Sequence, residues 1–127
     1  LVKGAYKEPP DIAFPRKSDV DRNFVRLAGT MLRARLEGRG GRPVMGTHDP
    51  RMIAEAGRLA HELGLAKDAW EVAMLYGIKT AEQERLVRTG HSVRVLVAYG
   101  THWFPWYMRR LAERPANVWF VVKQLVG

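Results

Sequence analysis

Two adjacent arginines, Arg109 and Arg110, with Glu113 one helical turn further on, are the residues in this sequence best suited to gripping a small anion. Each guanidinium can fork two N–H donors onto one carboxylate, so two side by side make a strong carboxylate site. Thr47-His48 offers a hydroxyl and an imidazole directly after Gly46. Other candidates stand where apolar runs end near glycine: Lys3 to Tyr6, Leu75-Tyr76 and Tyr99-Gly100. Glycine at such points lets a ligand approach the backbone closely. Plainer roles stay open for each. His48 could cap the helix that follows it, and Arg109-Arg110 could be a solvated helix face. Trp103, Trp106 and Tyr107 could be packing groups, and His61, His91 and His102 read as surface histidines. A clustered metal-ligand set, a G-x-S-x-G elbow and a phosphate-binding G-x-x-x-x-G-K are not evident.

Four similar modules position these residues, each an apolar run, a glycine near its end and a helical pattern. The first begins with Leu1 to Tyr6, and a helix follows from near Ser18 with Asp21 in capping-box spacing. Val20, Phe24, Leu27, Ala28, Met31 and Leu32 give that helix one apolar face before Gly38, Gly40 and Gly41 stop it. The second is Pro43 to Gly46, with Asp49-Pro50 as N-cap and first helical residue, and Gly64 as the left-handed cap at the end. Ile53, Ala56, Leu59, Ala60 and Leu63 form its buried stripe. The third runs from Trp70 to Gly77, and its helix opens with Thr80 and Gln83 in capping-box spacing and ends at Gly90. The fourth is Val93 to Gly100, followed by a helix over about Pro105 to Glu113; Val118 to Val126 reads as a further helix or a strand, with helix favoured. Alternating strands and helices with largely apolar strands imply parallel pairing and an α/β fold. Four such units make half of an eight-fold barrel or a small open sheet, and periodicity does not separate the two.

The 127 residues suit one small domain and fall well short of a whole barrel of roughly 250 residues. With no cysteine, disulfides, thiol catalysis and cysteine-ligated metals are excluded. No apolar run approaches the roughly 18 residues of a membrane span, and the opening lacks a secretory pattern. The net charge of +8 comes chiefly from 15 Arg among 21 basic residues. Their densest group, Arg33, Arg35, Arg39 and Arg42, sits where cations complement a helix end, so it reads as a solvated terminus. A basic nucleic-acid module rests on net charge alone, and nucleic acid is not the expected partner.

Four segments together resemble the flavin-dependent proline dehydrogenase family: Leu-Val-Lys-Gly-Ala-Tyr at 1–6, Gly-Thr-His-Asp at 46–49, Met-Leu-Tyr-Gly at 74–77 and the stretch from Arg94 to Pro115. Within the last, Tyr-Gly-Thr-His-Trp at 99–103 and Tyr-Met-Arg-Arg-Leu-Ala-Glu-Arg-Pro at 107–115 are the most specific. The resemblance implies a distorted (β/α)₈ TIM-type barrel holding FAD. It also implies oxidation of L-proline to Δ1-pyrroline-5-carboxylate, with electrons passed to a quinone. This chain would be the C-terminal half: strands five to eight with their helices and a C-terminal segment, one partial domain over residues 1–127. It further implies that Arg109 and Arg110 grip the proline carboxylate on a closing helix braced by Glu113. Tyr6 and Leu75 would pack on the proline ring. Val2, Gly4, Ala5, Thr47 and His48 would line the flavin.

Departures from the family pattern stand out. Ala73 replaces a glutamine whose amide would meet the flavin, and Leu96 replaces a tyrosine hydroxyl at the substrate site. Lys7 stands where an aromatic often lies by the adenine end of the cofactor, and a family arginine would fall just before Leu1. These changes leave hydroxyproline or another cyclic amino acid as an alternative substrate. The start inside an apolar run leads us to expect a piece of something longer, completed by an N-terminal half or by self-association. The expected location is cytoplasmic, and the quinone acceptor implied by the resemblance adds peripheral contact at the inner membrane face as an option.

Overall fold

The computed structural model describes residues 1–3 and 8–112, the last four by backbone alone. These fall into two compact units, residues 1–3 with 8–96, and residues 97–112. The larger unit is an α/β layer. Strands β1 (Val44–Gly46), β2 (Glu71–Leu75) and β3 (Ser92–Leu96) pair in parallel and in chain order. The expected opening strand is represented among the described residues by one parallel bridge from Val2 to Gly46. There the Gly46 N–H donates to Leu1 O (2.7 Å) and the Lys3 N–H to Gly46 O (2.9 Å).

Three helices belong to this unit: α1 (Lys17–Leu36), α2 (Pro50–Glu62) and α3 (Thr80–Arg88). Parallel neighbours share a face at each register position, and faces alternate along a strand. Met45, Val72 and Met74 therefore point one way, into a core with Phe24, Ala28 and Leu32 of α1, Ile53, Ala56 and Ala60 of α2, and Leu86 of α3. The other face carries Val2, Gly46, Ala73 and Arg94 in one row and Leu75 with Leu96 in the next. Val2 (79%) and Leu96 (53%) are well exposed there. One face is packed; the other is open.

The helix patterns hold and their caps differ in part. Asp49 does cap α2, accepting from the Arg51 N–H at 3.1 Å, with Pro50 at the first position. Gly64 takes φ 72° and Gly90 takes φ 88°, left-handed conformations that glycine adopts freely at helix ends. The two expected capping boxes do not form. The N-cap of α1 is Arg16, two residues ahead of the expected Ser18, and Asp21 is drawn to Lys3 instead. The N-cap of α3 is Lys79 at φ 52°, and the Gln83 side chain turns to the carbonyls of Leu75, at the end of β2, and Ile78, in the turn after it.

Other differences have similar causes. β2 and β3 stop at Leu75 and Leu96, short of the glycines that end the apolar runs. His91 is not a surface group: it meets Trp70 edge-on at 5.4 Å, and burial, then the charges of Lys67 and Arg85, hold its imidazole below the ordinary value. Arg42 leaves the solvated helix end to pair with Glu71 at 2.9 Å. The stretch Val118 to Val126 lies outside the described residues.

In the smaller unit, α4 (Trp103–Ala112) starts two residues before the expected Pro105. Trp103 packs against Phe104 and Tyr107 with ring centroids 5.6 and 6.3 Å apart. Among the described residues, no helix is long and apolar enough to cross a membrane.

Leu32 is fully buried, whereas Leu36 on the same helix is 52% exposed. Leu32→Ala should cost about 2–5 kcal/mol and Leu36→Ala within about 0.5 kcal/mol in urea unfolding. Equal losses would contradict the core assignment.

Candidate functional site

In parallel α/β folds, functional groups gather at the carboxyl ends of the strands, where loops lead into helices. At the end of β1, the Thr47 N–H donates to Ala73 O at 3.2 Å, the last ladder bond on that side. Thr47 is buried, and its Oγ1 accepts from the Asp49 N–H at 3.1 Å, tightening the turn into α2. The next strand donor, the Leu75 N–H, goes to the imidazole Nε2 of His48 at 2.9 Å. An acceptor nitrogen carries no proton, so this contact fixes the ring with its hydrogen on Nδ1. His48 is therefore a stitch between β1 and β2, not the cap of α2. Lys79 Nζ holds the His48 carbonyl at 2.9 Å.

Beneath this loop lies a buried cation. Lys3 Nζ sits 2.6 Å from Asp21 Oδ1 and 2.8 Å from Asp49 Oδ2, and the Lys3 side chain is only 6% exposed. Lys17 also pairs with Asp21. A buried ammonium needs such partners, because desolvation otherwise costs several kcal/mol. The cluster ties the opening segment to α1 and to the N-terminus of α2. Burial pushes the Asp49 carboxyl up, but hydrogen bonds from Lys3 and Arg51 outweigh it and hold the group well below the carboxylate range. Asp21 is lowered in the same way, burial opposing and Lys17 and Lys3 prevailing.

A second ion pair sits on the open face nearer the strand starts. Arg94 forks onto Glu71 at 2.7 and 3.2 Å, and Arg42 adds a contact to the same carboxylate and to Ser92 Oγ at 2.8 Å. The Arg94 hydrogen bond holds the Glu71 carboxyl low against the opposing effect of burial. In the row of Arg94, Gly46 and Ala73 are register partners, so the two central strands offer nothing larger than a methyl between Val2 and Arg94. A Cβ built on Gly46 would come 3.2 Å from Val2 Cγ2, so the glycine also allows the opening segment to pair. A smooth strip of strand backbone flanked by Val2 and by an arginine suits a flat ring system. Among the described residues, no group of three or more His, Cys, Asp or Glu could hold a metal ion.

The structure thus brings together Val2, Thr47, His48 and Leu75 of the expected site. Gly4, Ala5, Tyr6 and Glu113 lie outside the described residues; Arg109 and Arg110 belong to α4, described there by backbone alone. Sequence reasoning named Lys3 within the Lys3 to Tyr6 candidate and Asp21 and Gln83 as capping partners, but missed Lys79, the pairing of Lys3 with Asp21 and Asp49, the contacts of Gln83 and the Glu71–Arg94 pair. A lone lysine in an apolar run was the available signal for Lys3; the others depend on pairing with residues distant in sequence or on a local turn.

Comparison with known proteins adds the following. The sequence profile described as "Proline dehydrogenase" matches residues 1–123. "Proline dehydrogenase 2" of Bacillus subtilis (strain 168) is 45% identical over 123 residues, covering 97% of this chain and 39% of that protein. "Proline dehydrogenase" of Deinococcus radiodurans is 42% identical over 126 residues, 99% of this chain and 39% of its own length. "Proline dehydrogenase 1" of Bacillus subtilis (strain 168) is 42% identical over 126 residues, 99% of this chain and 40% of its own. The chain spans about two fifths of the length of the curated relatives it matches.

The Lys3 cluster makes a pH prediction. Carboxyls held below their ordinary 3.8 contribute stability that is full above about pH 4 and lost as pH falls through their folded values. Lys3→Met should cost about 3 kcal/mol at pH 7, since it leaves two carboxylates without their buried partner. It should also shrink the stability lost between pH 5 and pH 2, because Asp49 and Asp21 are then less depressed. Denaturant titrations across that range check both; an unchanged acid limb would contradict the cluster.

Proposed function

The chain belongs to the proline dehydrogenase family, and from that premise we propose that the protein oxidises L-proline to Δ1-pyrroline-5-carboxylate with FAD. The observation that carries this reading is the family match across nearly the whole chain, at 42–45% identity to relatives of that name. We read residues 1–127 as one partial domain, the half of a (β/α)₈ barrel that holds strands five to eight. Strands in chain order with the helices packed on one side support a barrel wall over a doubly wound sheet, whose strand order reverses. The rest of the barrel comes from further polypeptide or, as the alternative, from a second copy.

The open sheet face fits a flavin by its Gly46–Ala73 strip, and Val2, Gly4, Ala5, Thr47 and His48 are the residues that would hold one. Bound FAD supplies the acceptor for the hydride leaving the proline carbon next to nitrogen, with a quinone taking the electrons afterwards. The work of this chain is binding and orientation. Arg109 and Arg110 fork onto the proline carboxylate, Glu113 braces them, and Leu75 and Tyr6 pack against the ring. Closure of the α4 helix excludes water, which strengthens the carboxylate pairing at the moment of transfer. A cytoplasmic location follows from this reading, with any membrane contact made through the quinone.

A second reading concerns the substrate. Leu96 is the register partner of Leu75 on the open face, so an apolar pair stands where the family pattern has a hydroxyl. That favours a different cyclic amino acid, hydroxyproline among them. Anaerobic flavin bleaching decides: L-proline should bleach the protein's flavin with higher kcat/KM than 4-hydroxyproline, and the reverse order would establish the second reading. Arg109→Met should raise the KM for proline by about a hundredfold, roughly 2.7 kcal/mol, with flavin retained. An unchanged KM would remove Arg109 from the site.

A further inference from the structure

The last residue of β2 is held by side chains on both of its backbone groups. The Leu75 N–H donates to His48 Nε2 at 2.9 Å, and the Leu75 carbonyl accepts from Gln83 Nε2 at 3.0 Å. The same amide nitrogen donates to the Ile78 carbonyl at 2.8 Å. One primary amide has two hydrogens on one nitrogen, so it can serve two carbonyls at once; a carboxylate has none to give. The His48 brace comes from the loop after β1, the Gln83 brace from the start of α3. Its N-cap residue, Lys79, sits in the left-handed region at φ 52° and its ammonium reaches the His48 carbonyl at 2.9 Å. A left-handed lysine is strained, and it persists here with its head held on the neighbouring loop.

We propose that Gln83 is a positioning residue of the substrate site: by clamping the Leu75–Ile78 turn it sets the Leu75 side chain, and through His48 it couples that side chain to the Thr47-His48 loop. The proposal rests on reading Leu75 as part of the wall against the substrate ring. Leu75 and Leu96 are register partners on the open face, so a shift of the β2 end by a fraction of an ångström changes that wall directly. Ring packing is short-ranged, whereas the carboxylate grip belongs to other residues; loss of the clamp therefore weakens substrate binding more than turnover.

The test uses the native polypeptide that carries this segment, purified with its flavin, as wild type, Gln83→Met and Gln83→Glu. Gln83→Met keeps the length and removes both donors, so the KM for the amino acid should rise about tenfold with kcat changed less than threefold and flavin absorbance retained. Gln83→Glu sets carboxylate oxygens against two carbonyls, so its KM should rise further; a packing role alone would not give that order. Amide hydrogen exchange in the segment 71–79 should speed up at least tenfold in both variants, whatever the substrate. Should Gln83→Met not fold, Gln83→Asn, one methylene short of the carbonyls, carries the same expectation. Unchanged exchange would overturn the clamp. Faster exchange with unchanged KM would overturn the positioning role. A wild type whose flavin no cyclic amino acid bleaches would overturn the enzymatic reading and the positioning role with it, while exchange would still report on the clamp.

Discussion

One-sided burial of a short parallel sheet governs everything else in this unit. Met45, Val72 and Met74 bury almost completely against α1, α2 and α3, while their strand neighbours Gly46, Ala73 and Leu75 turn the other way. At roughly 25 cal/mol per Å² of apolar surface, the packed face anchors the layer. The opposite face is free to be shaped for a ligand, and its composition shows that freedom: glycine, alanine, an ion-paired arginine and two leucines in adjoining rows. Large side chains there would stabilise nothing in this unit.

The strand ends are then tied by polar contacts from the opening segment, the β1 loop and the start of α3. Lys3 binds the opening segment to α1 and α2; His48 binds the β1 loop to β2; Lys79 and Gln83 bind α3 to both. The Lys3, His48 and Gln83 contacts are half-buried, where an unmade bond is costly; a neutral hydrogen bond contributes roughly 0.5–1.5 kcal/mol and one to a charged group roughly 1.5–3 kcal/mol. Stability of the fold and precision of the candidate site therefore rest on the same groups. Asp49 illustrates this, since one carboxylate caps α2, pairs with Lys3 and stands next to His48.

Much of this was legible from the chain. The period of apolar residues gave α1 and α2 nearly to the residue, and Asp49-Pro50 and Gly64 marked the ends of α2 through chemistry that acts within one turn. The family resemblance gave the kind of site. What escaped was decided by partners distant in sequence. The Ser18–Asp21 and Thr80–Gln83 spacings are sound capping boxes locally, yet Asp21 gains more from a buried ammonium and Gln83 from the Leu75 and Ile78 carbonyls. The strand ends were overestimated because apolar residues continue past Leu75 and Leu96 while strand pairing does not. His91 escaped because nothing adjacent to it foretells Trp70.

The central claim is that the open face of the sheet is where the flavin ring lies. Ala73 is the place to test it, being half-buried on that face and flanked in register by Gly46 and Arg94. The measurement is flavin content, the ratio of visible to ultraviolet absorbance, of purified Ala73→Phe protein beside the wild type. The account predicts loss of nearly all bound flavin with the circular dichroism spectrum unchanged; full flavin content in a folded Ala73→Phe protein would contradict it.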